Sequence, residues 1–162
     1  MANRLPPVTA RPTGYSTLMA APVTNSIDIQ APVRRVLEVV TDVENTDRWA
    51  PEARSAEIVA RGDDGRPSRL VVTLGAIGFT TTATYDLTYT DASVTLTCVE
   101  GALIKASTIS YTASDSGGGT THLEMSSTMD VTVPVPQWGL NRAMRRSAAK
   151  NLESVRKAAE AA

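Results

Sequence analysis

Over residues 53–133 the chain keeps a period of two, and from residue 140 to its end it keeps the period of a helix. That switch limits the fold more than any other feature. Phe79, Thr81, Ala83, Tyr85, Leu87 and Tyr89 share one face of the first stretch, while Thr80, Thr82, Thr84, Asp86 and Thr88 share the other. Leu123, Met125, Met129, Val131 and Val133 likewise oppose His122, Glu124, Thr128, Asp130 and Thr132. Alternation of this kind marks antiparallel strands with one dry face. Turn signals at Asp63-Asp64-Gly65, Gly78, Asp91-Ala92, Gly101 and Ser116-Gly117-Gly118-Gly119 divide the stretch into about six strands. Beyond Pro134 and Pro136, Leu140, Met144, Ala148, Leu152, Val155 and Ala159 recur at helical spacing, which predicts a long amphipathic helix. Its apolar stripe needs a partner, and the dry face of the meander is the only surface large enough.

The beginning of the chain completes the pattern. Residues 1–22 hold four prolines and no sustained period, so they read as a flexible arm, with one domain over residues 23–162. Ile27 and Ile29 alternate with Asp28 and Gln30 in a short first strand. Pro32 then opens a helix, being pre-set in φ and losing no hydrogen bond at that position. Val33, Val36, Leu37 and Val40 form its apolar face; residues 42–49 make a second short helical piece, closed by Ala50-Pro51. The expected class is α+β: a curved antiparallel sheet of about seven strands around a long C-terminal helix, with two short helices after the first strand.

With 16 lysines and arginines against 17 acids, the chain lacks the basic excess of a nucleic-acid binder. From residue 137 onward, however, Arg142, Arg145, Arg146, Lys150, Arg156 and Lys157 face only Glu153 and Glu160. This basic helix could touch acidic lipid, or it could be an ordinary solvated face. Cys98 is the single cysteine, so no internal disulfide forms, and the protein is expected to be cytoplasmic. His122 falls on the wet face and Cys98 on the dry one, so no metal set assembles and no cofactor is called for.

Tight hairpins at Ile77-Gly78, Asp91-Ala92 and Ala102-Leu103 would place the dry-face residues in rows. Leu70, Tyr85, Cys98 and Ser107 make one row; Leu87, Leu96 and Ile109 a second; Tyr89, Val94 and Tyr111 a third; Val72, Ala83, Glu100 and Lys105 a fourth. Ser127, Met125, Leu123 and Met129 extend these rows in that order, if the last loop keeps the same register. The lattice is apolar except where Tyr85, Cys98, Ser107, Ser127, Glu100 and Lys105 gather. For Glu100 and Lys105 the ordinary reading is a cross-strand pair at an exposed hairpin tip.

Ser26-Ile27-Asp28-Ile29-Gln30-Ala31-Pro32, residues 42–49 with Pro51, Val99-Glu100-Gly101 and Pro134-Val135-Pro136 together span nearly the whole chain after Pro22. In that order they resemble the START-like (helix-grip, SRPBCC) superfamily, specifically bacterial proteins grouped with polyketide cyclases/dehydrases and lipid-transport domains. The resemblance implies a cavity between the sheet and the last helix that binds an apolar molecule such as a lipid, isoprenoid, quinone or polyketide. Its walls would include Trp49, Phe79, Tyr85, Leu87, Leu96, Cys98, Glu100, Lys105, Ser107, Ile109, Tyr111, Met125, Ser127, Met129, Trp138, Met144, Ala148 and Leu152. No catalytic residue is singled out. Two other readings stay open: a polyketide cyclase or aromatase using Tyr85, Glu100 or Lys105 as acid and base, and an interaction module whose cavity is filled by its own side chains.

Overall fold

A computed structural model describes residues 22–50, 53–76 and 79–161. Residues 1–21 of the expected N-terminal arm, Pro51 and the Ile77-Gly78 turn therefore lie outside the described residues. Seven strands form one antiparallel sheet: β1 (Val23–Ile29), β2 (Ala53–Arg61), β3 (Pro67–Ala76), β4 (Phe79–Tyr89), β5 (Ser93–Gly101), β6 (Ile104–Gly117) and β7 (Thr120–Val131). Their order is β1-β7-β6-β5-β4-β3-β2, so β2 to β7 run as a meander and the first strand closes onto the last. Helix α1 (Val33–Val40), a 3-10 turn (Val43–Asn45) and α2 (Thr46–Trp49) cross from edge strand β1 to edge strand β2. The long helix α3 (Gln137–Glu160) packs on β1, β7, α1 and α2. This is the helix-grip arrangement expected from the sequence.

Local chemistry explains the element ends. Strand β1 starts at Val23, three residues before Ser26, where the alternation was expected to begin, and Val23 is buried. Pro32 is the cap before α1 rather than its first residue, and its carbonyl accepts the Val36 amide at 3.2 Å. The chain is held at this corner by the Thr121 hydroxyl, which donates to the Ala31 carbonyl at 2.6 Å. Val36, Val39 and Val40 are the buried residues of α1, while Val33 and Leu37 pack at the margin.

The hairpin registers match the sequence reading in three places and depart from it in three. Leu70 pairs with Tyr85, Tyr85 with Cys98, Leu87 with Leu96, Leu96 with Ile109 and Val94 with Tyr111. Strand β7, however, is displaced by two residues from the expected rows: Met129 opposes Ser107, Ser127 opposes Ile109 and Met125 opposes Tyr111. The cause is the glycine run. Gly117, Gly118 and Gly119 all have positive φ; β6 continues to Gly117, which pairs with Thr120 across a two-residue reversal, and the ladder takes in Ser116 as an extra residue before Asp115–Thr121.

The other two departures are bulges. Between Tyr85–Cys98 and Thr84–Glu100 the ladder takes in Val99 as an extra residue, and between Ile104–Val131 and Ala106–Asp130 it takes in Lys105. Each extra residue reverses which face the following side chains occupy. Glu100 is thus carried to the face of Thr84, and Ile104 takes the dry position expected for Lys105. Bulges at these points also bend the sheet around α3.

Candidate functional site

Between the sheet and the first half of α3 lies a cavity of about 190 Å³. The sheet supplies its floor through Leu70, Val72, Tyr85, Leu87, Leu96, Ile109, Met125, Ser127 and Met129. Its roof is Leu140, Ala143, Met144, Ser147, Ala148 and Asn151 of α3, and its end wall is Val40, Val43, Trp49 and Ala50. Among the described lining residues none is charged. Such a wall favours an apolar occupant, and an ionised carboxylate inside it would lose hydration without gaining a partner.

Two polar clusters shape the cavity. Asn151 is completely buried; its Oδ1 accepts the Tyr111 hydroxyl at 2.7 Å and its Nδ2 donates to the Trp49 carbonyl at 2.9 Å. The Trp49 ring meets Tyr111 edge-on at 6.1 Å, and its Nε1 donates to the Asp42 carbonyl at 2.9 Å. Helix α2, helix α3 and strand β6 are joined through these contacts. In the second cluster the Tyr85 hydroxyl donates to Ser107 Oγ at 3.2 Å. Burial pushes the Tyr85 phenol above its ordinary value, with the Ser107 hydrogen bond acting the other way, so it stays neutral at physiological pH.

Two further hydroxyls are uncommitted. Ser127 lines the cavity, is 7% exposed and has no hydrogen-bond partner among the described residues. Thr81 Oγ1, also in the lining, is buried and likewise unpartnered among them. A buried hydroxyl ordinarily finds a partner, so Thr81 Oγ1 leaves a place for a ligand or water to fill.

The expected wall residues divide into three groups. Trp49, Tyr85, Leu87, Leu96, Ile109, Tyr111, Met125, Ser127, Met129, Met144 and Ala148 line the cavity. Ser107 and Leu152 are buried behind it, Ser107 bound to Tyr85 and Leu152 in the solid core. Cys98 is half-buried and outside the lining; its thiol donates to the Glu100 carbonyl at 3.4 Å, and burial raises its pKa, which keeps it an unreactive thiol. Glu100 and Lys105 are exposed as a consequence of the bulges and form no ion pair with each other. Trp138 is 73% exposed and is not among the lining residues. Phe79 is described only in its backbone. The 3.6 period marked the α3 face but not Asn151, since a polar residue in a helix reads as solvent-facing until its partners are known. Of the end wall, Trp49 was expected from the sequence, whereas Val40, Val43 and Ala50 had no sequence signal beyond ordinary core patterning.

Other chemistry is sparse. His122 Nδ1 lies 2.9 Å from Asp28 Oδ1 on the outer face. Among the described residues no group of three or more histidine, cysteine or acidic side chains could hold a metal ion.

The family model described as polyketide cyclase/dehydrase and lipid transport matches residues 20–160. Among solved structures, a START superfamily protein from Mycobacterium smegmatis is 24% identical with a TM-score of 0.72, covering 86% of this chain and 94% of that one. The Zhui aromatase/cyclase from Streptomyces sp. R1128 is 17% identical with a TM-score of 0.73, over 86% and 93%. A protein from Thermus thermophilus is 18% identical with a TM-score of 0.75, over 86% and 97%. These structural likenesses speak to the fold. No curated protein matches the chain.

Proposed function

The chain belongs to the polyketide cyclase/dehydrase and lipid-transport family, and on that premise we propose that it binds and carries a small uncharged apolar molecule between its sheet and α3. The observation that carries this reading is a void of about 190 Å³ with no charged side chain among its described lining residues. It is somewhat larger than the ~150 Å³ apolar cavity that takes up benzene, and smaller than the ~300 Å³ at which drug-sized pockets begin. A single substituted ring matches that volume. The remaining void speaks for a ligand rather than for an interaction module filled by its own side chains.

Cyclase chemistry finds less support. Glu100 and Lys105 are exposed and outside the cavity lining, and the Tyr85 hydroxyl is engaged by Ser107. The lone Cys98 thiol fits work in a reducing compartment, and we place the function in the cytoplasm on that ground.

Titrating 4-ethylphenol and 4-ethylbenzoate at neutral pH into the protein tests the reading. The phenol should bind and the carboxylate should bind at least tenfold more weakly, because its charge would be buried unpaired. Equal binding of both, or binding of neither, would overturn the proposal.

A further inference from the structure

The outer surface of α3 changes character along its length. In the second half Arg156 lies between Glu153 and Glu160 and pairs with both, so charge cancels there. In the first half Trp138, Arg142, Arg145, Arg146 and Lys150 are all exposed. None of these four cations has an ion-pair partner among the described residues, and no acid occurs on the helix before Glu153. Trp138 is the most exposed of the large apolar side chains described, at 73%. At i, i+4 and i+7, Trp138, Arg142 and Arg145 share one strip of the helix, with Arg146 and Lys150 beside it.

A merely solvated basic face has no use for an exposed indole. An indole has an apolar body and one polar edge, which suits the headgroup level of a bilayer. Guanidinium groups match phosphate geometry, and basic residues near an anionic leaflet add to one another. An acidic protein would also attract the cations. What favours lipid is the other side of the same helix turns: Leu140, Ala143, Met144 and Ser147 roof the apolar cavity. Docking there would set the cavity's cover against an apolar reservoir. Among the described residues no helix is long and apolar enough to cross a membrane, so the contact is peripheral.

We infer that the outer face of the first half of α3 docks on an anionic bilayer surface, with Trp138 at headgroup level and Arg142, Arg145, Arg146 and Lys150 against lipid phosphates. The inference concerns the outside of the helix, and its choice of lipid over an acidic protein rests on the reading of the cavity as a site for an apolar molecule.

Sedimentation with vesicles tests it. The protein should pellet with phosphatidylcholine vesicles containing a third phosphatidylglycerol and stay behind with phosphatidylcholine alone. Each cation removed should lower the partition coefficient about fivefold, so Arg142→Gln with Arg145→Gln should lower it roughly 25-fold while the melting temperature holds. Trp138 emission should be quenched by brominated lipid, leaving the buried Trp49 signal, and Trp138→Phe should abolish that change. Equal pelleting with both vesicles, or an unaffected double variant, would sink the proposal. So would a protein that ignores vesicles but is retained by polyglutamate through the same arginines, since the face would then belong to an acidic protein.

Discussion

The two halves of α3 share one amphipathic stripe and do different work. In the second half Leu152, Val155 and Ala159 are buried in the core with Ile29, Val36 and Val40. That end is also tied down: Arg35 Nη2 donates to the Ala158 carbonyl at 3.0 Å, and Glu160 Oε1 accepts the Gln30 amide at 2.9 Å. In the first half Leu140, Met144 and Ala148 cover a void, and between residues 137 and 150 no side chain hydrogen-bonds another element among the described residues. Amphipathic spacing therefore says which face turns inward without saying whether solid core or empty space lies beneath.

The largest effect should separate the halves directly. Leu152→Ala removes a side chain packed on all sides and should cost about 2–5 kcal/mol. Met144→Ala removes one that already borders empty space, so fewer contacts are lost and the cost should be about 1 kcal/mol or less. Denaturant titration of the two variants gives the comparison. Equal losses would mean that the first half packs like the second and that the cavity closes in solution.

Asn151 is the seam between the halves. Replacing it with alanine leaves the Trp49 carbonyl without its partner in a buried setting, which should cost about 1–3 kcal/mol. Near-ultraviolet circular dichroism should change as well, because Trp49 loses one of its two fixed hydrogen-bonded neighbours. A neutral variant with an unchanged spectrum would show that the halves are joined by apolar packing alone.

What was legible in the sequence follows the same division. Period alone identified the strands, the α3 stripe and the inner face of most of the meander, because burial on one side leaves a repeating signature. It failed where one residue breaks the count. Val99 and Lys105 are each an extra residue in one strand, and nothing in their side chains announces it, so the register alone put Glu100 and Lys105 on the dry face, whereas they are exposed, as the alternative of an exposed hairpin tip had it. The three glycines signalled a turn but not its length, and two residues of register in β7 depended on that. Side-chain partnerships across the fold, such as Asn151 with Tyr111, depend on three elements at once and have no local signal.

The smallest expected effect tests the polar contact inside the first-half cavity. The sequence reading gathers Ser107 and Ser127 in one row at the polar part of the lattice, but the structure gives Ser107 to Tyr85 and leaves Ser127 uncommitted opposite Ile109. A ligand hydroxyl reaching Ser127 would gain one neutral hydrogen bond, so Ser127→Ala should weaken binding of 4-ethylphenol by about 0.5–1.5 kcal/mol. Ethylbenzene has the same apolar body and no hydroxyl, and its affinity should hold. Stability should hardly move, because the serine hydroxyl has no partner in the described structure to lose. Calorimetric titration of both compounds into both proteins reads the difference. If the two ligands weaken equally, Ser127 acts through the shape of the cavity and not through its hydroxyl; if neither weakens, the phenol is oriented elsewhere, and Thr81 is the next hydroxyl to replace.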